Sequence, residues 1–134
     1  MLMKMKLVAA SALLALAAAG AANAQTRFTD AEIVGMIGKC LTEHAPKNWQ
    51  TVIFTLDEVP AAEGKKASNA TTHKAIVGAE NNPPQNLKPC RPDYAAKAVN
   101  TFRENQDEKA SKWTGVTVTF HRDRRYSLEF RYPQ

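Results

Sequence analysis

The chain has 134 residues, 18 basic against 13 acidic side chains, a net charge of +5 and two cysteines. That length is enough for one small domain. The charge is too mild for the dense basic stripe of a nucleic-acid binder, so no nucleic-acid partner is expected.

Lys4 and Lys6 precede an unbroken apolar and small-residue run over residues 7–19, and Ala22-Asn23-Ala24 forms an A-x-A cleavage site before Gln25. Residues 1–24 therefore read as a secretory signal peptide, the run being shorter than the roughly 20 residues of a spanning helix. Its removal takes Lys4 and Lys6, leaving 110 residues in which 16 basic side chains face 13 acidic ones, a net +3. The expected location is periplasmic or secreted, with residues 25–134 as a single small domain and no membrane insertion after cleavage. In an oxidising compartment the even pair Cys40 and Cys90 favours a disulfide over two buried thiols. Cys40 and His44 have helical i, i+4 spacing, but structural zinc needs four ligands, and no metal or cofactor is expected.

Thr29-Asp30-Ala31-Glu32 is a capping box. Behind it Ile33, Ile37, Cys40, Leu41 and His44 recur at helical spacing, and Pro46 predicts an end at residue 44 or 45. Trp49 to Val59 alternates as a strand. Residues 60–72 are small and polar and predict an exposed loop, followed by a weak strand over residues 73–79. Residues 81–92 carry four prolines, which excludes a helix or a central strand. Residues 93–109 return to helical spacing through Tyr94, Ala95, Ala98, Val99 and Phe102.

The last stretch alternates twice. Val116, Val118 and Phe120 precede a charged break, and Tyr126, Leu128, Phe130 and Tyr132 follow it. This predicts an antiparallel hairpin with Phe120 opposite Leu128, Val118 opposite Phe130 and Val116 opposite Tyr132. Asp123, Arg124 and Arg125 then form a three-residue loop, in which an arginine takes the left-handed position usually held by glycine. The expected fold is α+β: a four-stranded antiparallel sheet with two helices on one face, in the order α-β-β-α-β-β.

No nucleophile elbow, phosphate loop, zinc-protease helix or EF-hand loop is present, so the expectation is a binding protein without catalysis. Candidate acid pairs such as Asp57 and Glu58 are sequence neighbours and diverge on a strand. The distinctive surface feature is the cationic group His121, Arg122, Arg124, Arg125 and Arg131, the candidate partner-binding set. Lys65 and Lys66, in the 60–72 loop, are the competing site.

Three features resemble the YezG-like immunity-protein family: Trp113 opening the hairpin that Tyr132 closes around an Asp-containing turn, Ala45-Pro46-Lys47-Asn48-Trp49 opening the first strand, and the helix before the hairpin. The resemblance covers most of residues 25–134. It implies a small α+β protein that binds and neutralises a cognate protein toxin, with no catalysis of its own. Arg124 stands where the family usually has glycine, and the family is usually cytosolic and acidic. A leader on such a protein implies a toxin that acts in the envelope. Two other readings share the size and export: a periplasmic lysozyme inhibitor, which complementarity to a basic lysozyme would make acidic, and a small hydrolase without a recognisable motif.

Overall fold

In the computed structural model, residues 27–61, 64, 66 and 68–134 are described. The expected leader, residues 1–24, and Lys65 lie outside the described residues. Helix α1 (Asp30–Thr42) begins at the expected capping box: Thr29 Oγ1 accepts from the Glu32 N–H at 3.1 Å and Glu32 Oε1 accepts from the Thr29 N–H at 2.9 Å. Asp30 and Glu32 sit in its first turn and Lys39 in its last, matching the helix dipole. It ends two residues before the expected stop. The Thr42 hydroxyl bonds back to the Gly38 carbonyl and the Ala45 N–H closes a turn on the Thr42 carbonyl.

Strand β1 (Trp49–Val59) has the predicted bounds and lies at the centre of a five-stranded sheet. Strand β2 (Ser68–Val77) pairs antiparallel with it, from Val59 opposite Ser68 to Trp49 opposite Val77. Residues 68–72, expected in a loop, are therefore strand, and the connection shrinks to residues 60–67. Strand β3 (Gln85–Asn86) adds two residues to the outer edge of β2, through Lys74 opposite Asn86 and Ala75 opposite Gln85. It lies in the proline-containing segment, at an edge where prolines are tolerated. The sheet thus has five strands in the spatial order β3-β2-β1-β4-β5, not the expected four.

Helix α2 (Tyr94–Val99) is shorter than the pattern predicts and passes into a 3-10 turn, Asn100–Asn105. Polar side chains divert the backbone there. Asn100 bonds back to the Ala96 carbonyl, Asn105 reaches Phe28 and Asp30 of the α1 entry, and Asp107 accepts from the Ala110 N–H to start its own turn.

Strands β4 (Gly115–His121) and β5 (Tyr126–Arg131) form the predicted hairpin in a register two residues away from the predicted one. Phe120 faces Tyr126, Val118 faces Leu128 and Val116 faces Phe130. An even shift keeps every side chain on its expected face. The loop becomes Arg122, Asp123 and Arg124, closed by the Arg124 N–H on the His121 carbonyl at 2.9 Å and the His121 N–H on the Arg125 carbonyl at 2.8 Å. Asp123 sits where its carboxylate accepts the Arg125 N–H at 3.0 Å. The shift also brings the Phe130 ring to 5.4 Å from Trp113 and 5.8 Å from Phe102. Tyr132, expected opposite Val116, lies past the strand, exposed, and donates its hydroxyl to the Ala110 carbonyl at 2.8 Å.

The core gathers Ile33, Val34, Ile37 and Leu41 of α1, Ala95 and Val99 of α2, and Phe102 of the 3-10 turn. Against them pack Val52, Phe54 and Leu56 of β1, Ala75 of β2, Trp113, and Val116 and Val118 of β4. Gly38 allows α1 to lie on the hairpin, because a Cβ there would meet the Phe120 ring at 2.6 Å. The opposite side of the sheet is hydroxyl-rich, with Thr55 beside Thr72 and Thr117, and Thr119 beside Ser127. Cys40 and Cys90 are disulfide-bonded, tying the end of α1 to the segment before α2, and the Cys90 N–H donates to the Cys40 carbonyl at 2.9 Å.

His73, opposite Phe54 in β2, is the polar group most at odds with its surroundings. Its ring lies 5.2 Å from the Phe54 ring, and its buried Nε2 has no hydrogen-bond partner among the described residues. Burial lowers its pKa from the ordinary 6.5. Above that value both states are neutral and stability is full. As pH falls below it, the unfolded chain takes up a proton that the folded one resists, so stability declines until the folded ring also titrates. The melting temperature is expected to fall as the pH drops below about 6.5, and His73→Leu to lose most of that slope. Equal slopes for the two proteins in a pH series of melts would show that another group is responsible.

Candidate functional site

The hairpin tip stands beside the start of β1 and the second half of α1. The β4–β1 pairing sets His121 opposite Thr51, and the Arg122 N–H continues the ladder by donating to the Gln50 carbonyl at 2.9 Å. The expected cationic group divides here into three parts. His121 and Arg125 lie toward the hydroxyl-rich side: His121 Nδ1 is 3.1 Å from Thr51 Oγ1, and Arg125 pairs with Asp123 at 2.6 Å. The Arg125 backbone N–H, then its guanidinium, holds the Asp123 carboxyl below its ordinary range. Arg125 therefore presents a charge that its own loop already balances.

Arg131 is the second part, at the far end of β5. Its guanidinium bonds to Thr117 Oγ1 at 2.8 Å and to the Leu56 carbonyl at 3.3 Å, and it pairs with Asp57 at 3.0 Å. It ties together β1, β4 and β5, and Gly115 leaves the room it needs: a Cβ there would collide with the Asp57 carboxylate. The structure does not bring Arg131 to the tip. Asp57 and Glu58 diverge as their strand requires, Asp57 to Arg131 and Glu58 to Arg103 at 3.4 Å.

Arg122 and Arg124 are the third part, and they line a cleft of about 350 Å³ with Gly35, Lys39 and Thr42 of α1, Trp49 and Phe120. Arg122 is fixed in it. One guanidinium nitrogen donates to the Trp49 carbonyl at 2.7 Å, and the guanidinium carbon lies 4.9 Å from the Trp49 ring centroid, a cation–π contact. Trp49 stacks in turn on Phe120, centroids 6.3 Å apart with the planes at 24°. Arg124 is exposed, takes the left-handed backbone at φ 77°, and has no side-chain hydrogen bond or ion pair among the described residues. An arginine in that conformation costs roughly 1 kcal/mol relative to glycine. The three-residue loop demands that backbone at this position, and the side chain is left exposed at the tip.

Sequence reasoning names Arg122 and Arg124 but misses Lys39, Trp49 and Phe120 as their neighbours. One signal for the helix side exists: Gly35, Lys39 and Thr42 recur at i, i+4 and i+7, a stripe flanking the apolar one. Of the competing loop, Lys66 is exposed and Lys65 lies outside the described residues. No three of the described His, Cys, Asp and Glu residues are grouped to hold a metal ion, and no described helix is long and apolar enough to cross a membrane. Neither protein-family models nor curated proteins yield a match to this chain.

Proposed function

We propose that this chain is an exported, non-enzymatic binding protein that neutralises a cognate protein toxin acting in the cell envelope. The observation that carries the binding part is Arg124, an unpaired charge held at a strained, exposed tip beside Arg122 and Lys39. Long-range attraction from such a cluster speeds encounter with an acidic surface, and Arg is a frequent interface anchor. The leader and the disulfide favour an oxidising compartment. The resemblance of the Trp113-to-Tyr132 hairpin and the segment ending at Trp49 to immunity proteins supplies the kind of partner.

The test is a toxin challenge. Cells receive the toxin encoded beside this chain, directed to the periplasm, together with the leader-bearing protein or a version lacking residues 1–24. Protection is expected from the leader-bearing form alone, with the toxin retained on the immobilised protein. A toxin that kills equally in both strains and passes unretained would refute the reading.

A further inference from the structure

We infer that the cleft between α1 and the hairpin tip receives an acidic peptide segment of a protein partner, a carboxylate side chain with an apolar neighbour. The inference deepens the proposed function and rests on it for the identity of the partner, but not for the chemistry of the cleft. Three observations carry it.

The cleft is cationic and not self-neutralised. Lys39, Arg122 and Arg124 line it and no acidic residue does. The neighbouring hollow at the tip contrasts with it: Gln50, Glu80, His121, Arg122, Asp123 and Arg125 mix both signs around about 290 Å³. Another hollow, of about 580 Å³, lies at the other end of β1, with Glu58 its only charged lining residue.

The floor is aromatic. Trp49 and Phe120 are half-buried and stacked, and Gly35 leaves open space where a side chain would stand, since a Cβ there meets nothing within 4 Å. An apolar side chain beside the carboxylate would rest on these rings. The Trp49 carbonyl and ring hold the Arg122 guanidinium, so one of the cations loses little freedom on binding.

The third observation separates a carboxylate from a phosphate. The helix wall of the cleft is the C-terminal half of α1, through Lys39 and Thr42. That end of a helix is the negative pole of its dipole and presents carbonyls rather than N–H groups. A compact multivalent anion gains no amide donors there and meets an adverse field. A carboxylate meets the same field with only one charge, which the guanidinium forks and the Lys39 ammonium offset, and its apolar stem gains the rings.

The experiment uses ¹⁵N-labelled protein with its disulfide intact, titrated with acetyl-Gly-Phe-Glu-Leu-Gly-amide, with the same peptide carrying Gln for its acid, and with inorganic phosphate. The acidic peptide should move the amide signals of Lys39, Trp49, Phe120, Arg122 and Arg124, and the neutral one should bind at least about ten-fold more weakly. Lys39→Gln/Arg124→Gln should weaken the acidic peptide by about ten-fold at an unchanged melting temperature, and the effect should shrink with added salt. Equal affinity for the two peptides, an equal response to phosphate, shifts centred on Thr55 and Thr117, or no shifts at all would each overturn the inference. Failure of the toxin challenge with peptide binding intact would remove the proposed partner and leave the cleft assignment standing. Protection that survives the double substitution would do the reverse.

Discussion

Replacing Cys40 and Cys90 together by alanine is expected to lower stability by about 4 kcal/mol, from the chain-entropy cost of the loop the disulfide closes. The two cysteines are 50 residues apart, so the bond spans β1, β2 and β3. Domains of this size have total stabilities of roughly 5–15 kcal/mol, so the variant should sit near the limit of folding. Most of the cost should appear in the unfolded state. Without the link the denatured chain expands, and the denaturant slope should rise as the midpoint falls. A lower midpoint with an unchanged slope would place the loss in the native packing around Cys40, which is 4% exposed, and not in the cross-link. In the unaltered protein, alkylation without reductant should label neither cysteine.

The same bond shows what can be read directly from residues. Two cysteines alone in a small domain have few alternatives, and the pairing appears as expected. The capping box and the apolar stripe behind it locate α1, and the strict alternation of Val52, Phe54 and Leu56 gives β1 its bounds. Hydrophobic pattern reports burial, and it is silent where pairing occurs without burial. Residues 68–72 pair along β1 yet remain exposed, so their composition resembles a loop. Strand β3 is two exposed polar residues held by backbone pairing alone. The hairpin carries a subtler limit. Alternation decides which face a residue takes, but registers two residues apart satisfy it equally. The observed register is favoured by the Asp123 carboxylate on the Arg125 N–H and by the Phe130 ring on Trp113 and Phe102, against the cost of a left-handed Arg124.

The candidate site was legible as composition and not as geometry. Five cationic side chains between His121 and Arg131 look like one patch along the chain. Their partners lie far away in sequence: Asp57 for Arg131, and the Trp49 ring and carbonyl for Arg122. Such pairing depends on which strand lies beside which, and β1 between β2 and β4 settles it only in three dimensions. Of the five, Arg122 and Arg124 come together at the cleft beside α1, and Arg124 has no ion pair among the described residues.

Trp113→Ala is expected to be the most damaging single substitution in the core, at roughly 3–5 kcal/mol. The residue precedes the hairpin and is 1% exposed. Its ring packs 5.4 Å from Phe130, and the Arg103 guanidinium carbon lies 3.5 Å from its centroid. Arg103 also donates to the Ser111 and Trp113 carbonyls, and the indole N–H donates to Gln106 Oε1 at 2.9 Å. Removing the ring therefore opens a cavity and unseats the 3-10 turn that Arg103 and Gln106 anchor. Trp113→Phe should recover much of the packing while leaving Gln106 without its donor. Trp49 provides the contrast. It is half-buried at the edge of the core, stacked on Phe120 at the cleft, and holds Arg122 with its outer side. Trp49→Ala should cost clearly less in urea unfolding and should weaken the acidic peptide, whereas Trp113→Phe should bind it normally. Equal destabilisation by Trp49→Ala and Trp113→Ala would make Trp49 a core residue, and the cleft would lose its floor as a recognition surface.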